Sequence, residues 1–337
     1  MVRILCFFTH ESSDSASLDV KVGDLVPKVL LKNKSGTIDV TNMASTLKWS
    51  GSMSQIARVL ELEFLYPLHD HYAPKIYPNI GDEMFLYDDT GEELFRGRVF
   101  YNERFGEQGT IQVTCYDDAI RLSKSKGTYN FKNKTAEVIT RTVCNDLGIS
   151  VGNIASTGIP QKMLCSNMNM YEIIKEAYES AGSQNGKRYL ISMKQGKLCV
   201  DQVGNEVIDY VLQADTNIME SSYSQDAEGM LNKVKIYDED DQYLGVVQND
   251  ELIGLLGTLQ DIYIKEDGKQ AKAVARSMLR GITQEISVTA SGDISCTSGR
   301  PIKIAGSLTK LLGSFYIESD AHEWSNGQYI TTMKLKF

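Results

Sequence analysis

The sequence predicts an α+β fold that is mainly β, in which one β module occurs twice and a small α/β domain lies between the two copies. Three observations lead to this prediction. Runs of alternating apolar and polar residues, which are typical of half-buried strands, recur over most of the 337 residues. A similar order of glycines and strands occurs at 81–116 and at 299–337. Helical periodicity is concentrated in the middle of the chain.

Length and composition fit a globular chain of two or three domains. Hydrophobic residues make up 42% of the sequence and charged residues 23%, and the 27 glycines far outnumber the 6 prolines. We therefore expect no proline-rich linker. We divide the chain into a first β module at 1–125, a small α/β domain at 126–215, and a second β module with one packing helix at 216–337.

Composition also argues against several classes of protein. No run reaches the ~18 apolar residues that span a bilayer, so membrane insertion is not expected. The apolar run at 4–8 is shorter than the core of a secretory signal. The six cysteines are scattered without a Cys-x-x-Cys pair, and we expect them to be reduced and structural. A net charge of −9 argues against a surface that binds nucleic acid, and no sequence-specific binding is expected.

The first β module is predicted from its strands. A strand that contains Trp49 runs into a turn at Gly51, and alternating apolar residues indicate a long strand at 57–64. The next strand is entered through Gly81.

Each copy of the repeat contains three strands that are opened or separated by glycines at similar spacings. A glycine precedes the first strand, a second glycine precedes the next strand, and a third lies in the turn before the last one. We therefore match the glycines in order: Gly81, Gly97 and Gly109 with Gly299, Gly313 and Gly327.

Two amphipathic helices predict the small α/β domain. The first begins after Asn133 and is stopped by Gly148. The second is capped by Asn169 and is expected to end at Gly182. Two strands joined by a turn at 195–196 follow.

Beyond residue 215 the pattern returns to strands. Alternating runs at 231–237 and 243–247 flank an acidic turn at 238–242, and a one-sided apolar stripe predicts a helix at 271–282. We expect a single sheet that this helix packs against and that the final strands close.

The last strands form the clearest predicted hairpin. Asn326 and Gly327 are both tolerant of positive φ and lie between two alternating runs, and from Tyr329 onward apolar residues fall on one face. We place Trp324 in the core of the second β module. His322 is interpreted as a residue at a strand end that shields this tryptophan.

Candidate reactive groups are few. His69 and His71 could offer two imidazoles to a metal ion, but no distant third ligand is evident. The acidic turn at 238–242 lacks the residue order of a calcium loop. The sequence contains no nucleophile elbow, phosphate-binding loop or dinucleotide fingerprint. We therefore predict no catalytic, cofactor-binding or metal-binding residues.

Several short motifs, taken in order, carry a family resemblance. They are Trp49-Ser-Gly-Ser, Gly299-Arg-Pro-Ile-Lys-Ile, Gly313-Ser-Phe-Tyr-Ile, His322-Glu-Trp324 and Tyr329-Ile-Thr-Thr-Met-Lys-Leu. Together with the helical insert between two β modules, they resemble the late control protein D family. These are baseplate hub proteins of contractile phage tails and tail-like bacteriocins, and the chain is most similar to the Gram-positive prophage type. The resemblance covers nearly the whole chain.

The resemblance implies a structural homotrimer. Each subunit would contribute two tube-like β-barrel modules, so three subunits would form a ring that joins the sixfold tail tube to the threefold central spike. The implied partners are the tail tube or tube-initiator protein, the central spike protein and the baseplate wedge proteins, with the tape measure protein as a further candidate. The implied location is the baseplate of a virion or tail-like particle, after assembly in the host cytoplasm.

A second class of function remains open, namely a tail-tip cell-wall hydrolase or a carbohydrate-binding protein. A hydrolase should carry an identifiable set of catalytic residues, and the sequence shows none. The hub is therefore the preferred interpretation. Its expected structural residues are Trp49, Gly81, Gly97, Gly109, Gly299, Gly313, Trp324 and Gly327.

Overall fold

The computed structural model describes residues 27–66, 76–106, 109–203, 208–266, 270–306 and 312–336. Over these ranges the chain forms 21 strands and five α-helices. The prediction of a mainly β chain with few helices is confirmed. The apolar run at 4–8 and both histidines of the candidate metal motif, His69 and His71, lie outside the described residues.

The strands of the first part of the chain are β1 (Lys28–Asn33), β2 (Gly36–Asp39), β3 (Ala44–Ser52), β4 (Gln55–Leu65), β5 (Glu83–Tyr87), β6 (Glu93–Phe105) and β7 (Thr110–Asp117). The central elements are α1 (Ile120–Lys124), β8 (Lys126–Lys134), α2 (Ala136–Asp146), β9 (Val151–Ile154), β10 (Gln161–Asn169), α3 (Met170–Asn185), β11 (Arg188–Lys194) and β12 (Lys197–Val203). The remaining elements are β13 (Val211–Gln213), β14 (Ile218–Asp226), β15 (Lys233–Tyr237), β16 (Tyr243–Gln248), α4 (Asp250–Leu256), β17 (Gln260–Ile264), α5 (Ala271–Met278), β18 (Thr283–Ser291), β19 (Pro301–Gly306), β20 (Gly313–Ser325) and β21 (Gln328–Lys336).

Thirteen strands form one large sheet that contains the same arrangement twice. The first repeat sheet has the order β3-β4-β7-β6-β5-β1, and the second repeat sheet has the order β14-β18-β21-β20-β19-β13. In both repeat sheets, neighbouring strands among the first five of the six are antiparallel. The exception is the last strand, because β1 is antiparallel to β5 whereas β13 is parallel to β19.

The two repeat sheets agree at the level of single hydrogen bonds. The Gly81 N–H donates to the Val99 carbonyl over 2.9 Å, and the Gly299 N–H donates to the Ile317 carbonyl over 2.8 Å. Both glycines have positive φ, +90° and +88°. Directly after Val99 and Ile317, β6 and β20 each carry one extra residue, a β-bulge. The predicted internal repeat is therefore confirmed, and Gly81 corresponds to Gly299.

The predicted match between Gly97 and Gly313 is wrong by two residues. Gly97 pairs with Met84 inside the sheet, and the same place in the second repeat sheet holds Phe315, which pairs with Ile302. Gly97 is required for another reason, since a Cβ atom there would lie 2.4 Å from the Tyr116 carbonyl oxygen. Gly313 instead begins β20 with φ +126°.

Strand β20 connects the two repeat sheets. Its first residues pair with β19, its residues 319–325 pair with β3, and β21 runs along its other edge. Among the described strands, the main path of the large sheet runs from β14 to β2, and β19 and β13 branch from β20; β14 and β2 do not pair with each other.

Each repeat sheet has its own apolar core. Because alternate residues of a strand face the same side, the apolar residues of each strand lie together in the core. Examples that are buried are Met84 and Leu86 on β5 and Ile302 and Ile304 on β19. The expected burial of Trp324 is confirmed, but its expected place is wrong. It packs in the core of the first repeat sheet because β20 extends across the joint onto β3.

The central part of the chain has a separate core under α2 and α3. The strands there form two small sheets, β10-β8 and β11-β12-β9. The expected cap is present, since Asn169 Oδ1 accepts from the Tyr171 and Glu172 N–H groups over 3.0 and 3.4 Å. The expected end of α3 at Gly182 is wrong, because the helix continues to Asn185 and ends at Gly186, which has φ +70°.

Residues 231–279 also differ from the prediction. Strands β15, β16 and β17 form a separate three-stranded sheet, and α5 packs on that sheet rather than on the final strands. The helix ends at Met278, three to four residues before the expected end. The sequence reading missed α4, whose first turn is capped by Asn249.

No described helix is both long enough and apolar enough to cross a bilayer. The five described cysteines are buried and unpaired, as expected for structural thiols.

Replacement of Trp324 by alanine tests its burial in the first core. We expect a loss of about 3–5 kcal/mol in the free energy of unfolding, because a large aromatic side chain leaves a cavity. The protein contains only two tryptophans, so the fluorescence of the variant reports on Trp49 alone. Its emission should shift to longer wavelength.

Leu164→Ala is the control, because Leu164 on β10 is 74% exposed and its removal should change stability by less than about 0.5 kcal/mol. A Trp324→Ala protein that is as stable as this control would show that the tryptophan does not support the core.

Candidate functional site at the joint between the repeat sheets

A cluster of buried polar and aromatic side chains lies where β3 pairs with β20. We call it the joint cluster and define it as Trp49, Arg58, Asp320, His322 and Tyr329. In the antiparallel register of this joint, Trp49 is opposite His322. Inward-pointing positions of an ordinary sheet are apolar, so polar groups here need partners.

The centre of the joint cluster is an ion pair between the repeat sheets. The Arg58 guanidinium forms two hydrogen bonds to the Asp320 carboxylate, one of them 3.1 Å long. The Asp320 side chain is fully buried and that of Arg58 is 16% exposed. The guanidinium also lies 3.9 Å from the centre of the Trp49 ring. Two-point contact and stacking together fix the geometry in a way that lysine could not.

Asp320 is held in its charged form. It also accepts a hydrogen bond from the Ser298 N–H over 2.6 Å, and His322 Nε2 lies 3.3 Å from its carboxylate. Burial raises the pKa of Asp320, but the neighbouring Arg58 and His322 outweigh this effect and lower it to about 2.

His322 is fully buried in the interior of β20, so the predicted position at a strand end is wrong. Its Nδ1 lies 2.8 Å from the Tyr329 hydroxyl, and its ring centre lies 5.0 Å from that of Trp49. Tyr329 in turn stacks on Trp324 with ring centres 4.3 Å apart. The expected contact between His322 and a core tryptophan is present, with two tryptophans instead of one.

Gly51 leaves room for the ion pair. It lies opposite Asp320 across the joint, and a Cβ atom there would lie 2.3 Å from Arg58 Nη1. Any larger residue would have to displace the guanidinium. The Trp49-Ser-Gly sequence therefore supplies both the ring that Arg58 stacks on and the gap that it passes through.

A second buried carboxylate supports the strand that carries Arg58. Asp117 Oδ2 accepts from the Arg58 N–H over 3.1 Å and Oδ1 accepts from the Ala119 N–H over 3.0 Å. Burial raises the pKa of Asp117 to about 7, and the two backbone donors offset only part of this effect. Asp117 thus changes charge near neutral pH while Asp320 does not.

The joint cluster is suited to holding strands together and poorly suited to catalysis. A pocket beside Arg58 and Asp117 has a volume of about 10 Å³, room for about one water molecule. His322 and Asp320 do not line this pocket, and both are buried. Within the described ranges, no group of three or more His, Cys, Asp or Glu side chains could hold a metal ion.

The structure brings two of the eight expected structural residues, Trp49 and Trp324, to the joint. Gly81 and Gly299 start equivalent strands, and Gly109 and Gly327 lie in the turns that follow β6 and β20, with φ of +63° and +74°. Gly97 lies inside β6 and Gly313 at the start of β20. Sequence reasoning missed Arg58 and Asp320, which are 262 positions apart and carry no local signal.

Comparisons with known proteins agree with this architecture. A family model described as YqbQ-like matches residues 47–336. The uncharacterized protein YqbQ of Bacillus subtilis (strain 168) is 28% identical over 259 residues, which cover 74% of this chain and 79% of YqbQ.

Two solved structures share the fold. The 43 kDa tail protein of prophage MuSo2 from Shewanella oneidensis has a TM-score of 0.68 and 14% identity, with 92% of this chain and 98% of that chain covered. The E. coli c3393 protein is a component of the type VI secretion system with structural similarity to the T4 bacteriophage tail proteins gp27 and gp5. It has a TM-score of 0.50 and 9% identity over 87% of this chain and 73% of that chain. At these identities the likeness is one of fold.

Breaking the central ion pair should be costly. Arg58→Met leaves the Asp320 carboxylate buried without its main partner, and we expect a loss of about 3–5 kcal/mol in the free energy of unfolding. The double variant Arg58→Met, Asp320→Leu should recover most of that loss, because neither charge of the pair remains buried. Urea unfolding followed by circular dichroism measures both.

The matched control is Arg98→Met, which breaks an exposed pair with Glu83 and should cost less than about 1 kcal/mol. Equal midpoints for Arg58→Met and Arg98→Met would contradict the assigned role of the buried pair.

Asp117 predicts a specific dependence of stability on pH. Its pKa is about 7 in the folded chain and ordinarily 3.8, so the folded state holds the proton more tightly. Its contribution to stability is therefore full below about pH 4 and is lost as the pH rises through about 7. Asp117→Asn cannot titrate, so the difference in unfolding free energy between wild type and variant should change across pH 4–7. A difference that stays constant over this range would refute the raised pKa.

Proposed function

We propose that this chain, which belongs to the YqbQ-like family, is the structural baseplate hub of a contractile tail and forms a ring between the sixfold tail tube and the threefold central spike. The observation that carries this proposal is the internal repeat. One chain contains two sheets of the same strand order, joined edge to edge. Three such chains in a closed ring would present six similar sheets to the tube and three identical subunits to the spike.

The fold supports the same conclusion. Proteins described as a prophage tail protein and as a secretion-system component similar to phage tail proteins share it over most of their lengths. A hub must transmit force without unfolding, and a continuous sheet whose register is fixed by a buried ion pair suits that task better than a flexible linker would. The sealed joint cluster offers no route to a substrate, which favours a structural role over an enzymatic one.

The finer features belong to this proposal. Each repeat sheet curves into a tube-like β-barrel module within the ring, and the parts of the chain are bounded near residues 125 and 215. The neighbours are the tail tube or tube-initiator protein, the central spike protein and the wedge proteins of the baseplate, with the tape measure protein as a further candidate. The protein is located in the baseplate of a virion or tail-like particle.

Assembly state is the first test. Purified protein should show a trimer, or an equilibrium between monomer and trimer, when light scattering measures its mass over a series of concentrations. Adding the cognate spike protein should shift the equilibrium towards the trimer. A strictly monomeric mass at high concentration with the spike present would refute the hub.

A further inference from the structure

We propose that the outer edge of β14 in one copy pairs, antiparallel, with residues 101–105 of β6 in a second copy, in the register that places Ser224 opposite Glu103. The second copy is thus held by a joint that repeats the one between β3 and β20 inside the chain. This inference rests on the proposed ring, since it supplies the contact between neighbouring subunits.

The residue equivalence between the repeat sheets comes from one row of paired residues across four strands. The row runs Trp49, Leu60, Cys115, Val99 in the first repeat sheet and Tyr223, Ile286, Leu335, Ile317 in the second. The bulges after Val99 and Ile317 fix its end. Tyr223 on β14 therefore occupies the place of Trp49 on β3.

The internal joint then sets the register between copies. His322, five residues after Ile317, lies opposite Trp49, so Arg104, five residues after Val99, should lie opposite Tyr223 of the other copy. In the same way, Ser50 lies opposite Ala321 inside the chain, so Ser224 should lie opposite Glu103 of the other copy. Inside the chain, the Met53 N–H donates to the Glu318 carbonyl over 2.8 Å. The equivalent hydrogen bond between copies would run from the Ala227 N–H to the Phe100 carbonyl.

Both edges are open within the described part of the chain. Among the described residues, β14 pairs only with β18, and the part of β6 beyond Val99 pairs only with β7. Large apolar side chains are exposed on both: Tyr223 is 38% exposed, and Phe100 and Tyr101 are each 48% exposed. An open edge with exposed aromatics is a site for strand addition.

The side chains that would meet are complementary. The Arg104 guanidinium lies 4.0 Å from the centre of the Tyr77 ring and 5.3 Å from that of the Tyr66 ring, and Tyr223 from the second copy would add a third aromatic ring to this group. The equivalents of Arg58 and Asp320 are Gln284 and Asn102, a neutral pair able to hydrogen bond. Asn102 is held in place as Asp320 is, by a neighbouring backbone group, because its Nδ2 donates to the Pro78 carbonyl over 2.7 Å. A joint between copies therefore keeps the register of the internal joint and has a neutral amide pair in place of the buried ion pair.

Disulfide trapping tests the register. In a Cys6→Ser background, Ser224→Cys and Glu103→Cys are made in separate proteins, mixed and oxidised, and run on non-reducing gels. The five described native cysteines are buried and should not react. Residues directly opposite in an antiparallel pair lie about 4.5–5.5 Å apart at Cα, within the range of a disulfide. The mixture should give a covalent dimer that neither protein gives alone.

The matched control uses Ser222→Cys in place of Ser224→Cys. Residue 222 lies on the same face of β14, two residues away, so its distance from residue 103 of the second copy is about 7 Å or more. We expect the cross-linked fraction to be at least about tenfold lower. Equal yields from the two mixtures would mean random collisions and would overturn the proposal.

A single chain with both Ser224→Cys and Glu103→Cys separates this inference from the proposed function. Oxidation should close a covalent ring of three subunits, measured by mass under denaturing conditions. A trimer in light scattering with no cross-link would overturn the strand pairing and leave the hub intact. A cross-linked ring of another size would keep the pairing and overturn the threefold hub. Monomer without any cross-link would overturn both.

Discussion

Strand β20 belongs to both repeat sheets, and the ion pair between Arg58 and Asp320 fixes how it crosses from one to the other. A slip of one residue along β3 would turn Asp320 and His322 to the opposite face and move the carboxylate away from the guanidinium. The carboxylate would then lack its main partner in a place that water does not reach, at a cost of several kcal/mol. Packing of Trp49 and Trp324 depends on the same register. The two sheets therefore behave as one continuous structure.

The local features of the fold could be predicted from the sequence and the long-range ones could not. Asn326-Gly327 predicts its hairpin because two adjacent residues must have positive φ, and their φ values are +51° and +74°. Gly81 and Gly299 could be matched because each residue must adopt a conformation that favours glycine. The match of Gly97 with Gly313 failed because glycine was required for different reasons at the two places, a close backbone approach in one and positive φ in the other.

The joint itself leaves no trace in local sequence. Trp324 was expected to be buried because of its size and its strand, but its core is decided by a partner strand more than 270 positions earlier. Arg58 and Asp320 look like ordinary surface charges on alternating strands. Only Gly51 indicates crowding. The cause is the path of the Arg58 side chain, which can be recognised only when β3 and β20 are known to pair.

The internal joint holds an ion pair and its proposed counterpart between copies holds a neutral pair, because the two joints form at different stages. Arg58 and Asp320 are enclosed once as the chain folds, whereas Gln284 and Asn102 must first be stable in water, and neutral amides lose less on later burial.

The crossing of β20 also governs how the protein can fold during its synthesis. The first repeat sheet has received its last sequential strand when Tyr116 leaves the ribosome, yet the side chains of Trp324 and Tyr329 that complete its core are translated roughly 200 residues later. At about 5–20 residues per second this is a delay of about 10–40 s. During this interval the edge of β3 and one side of an aromatic core are uncovered in the nascent chain. The nascent chain therefore exposes an open strand edge, a site where other chains can pair, until β20 pairs with β3.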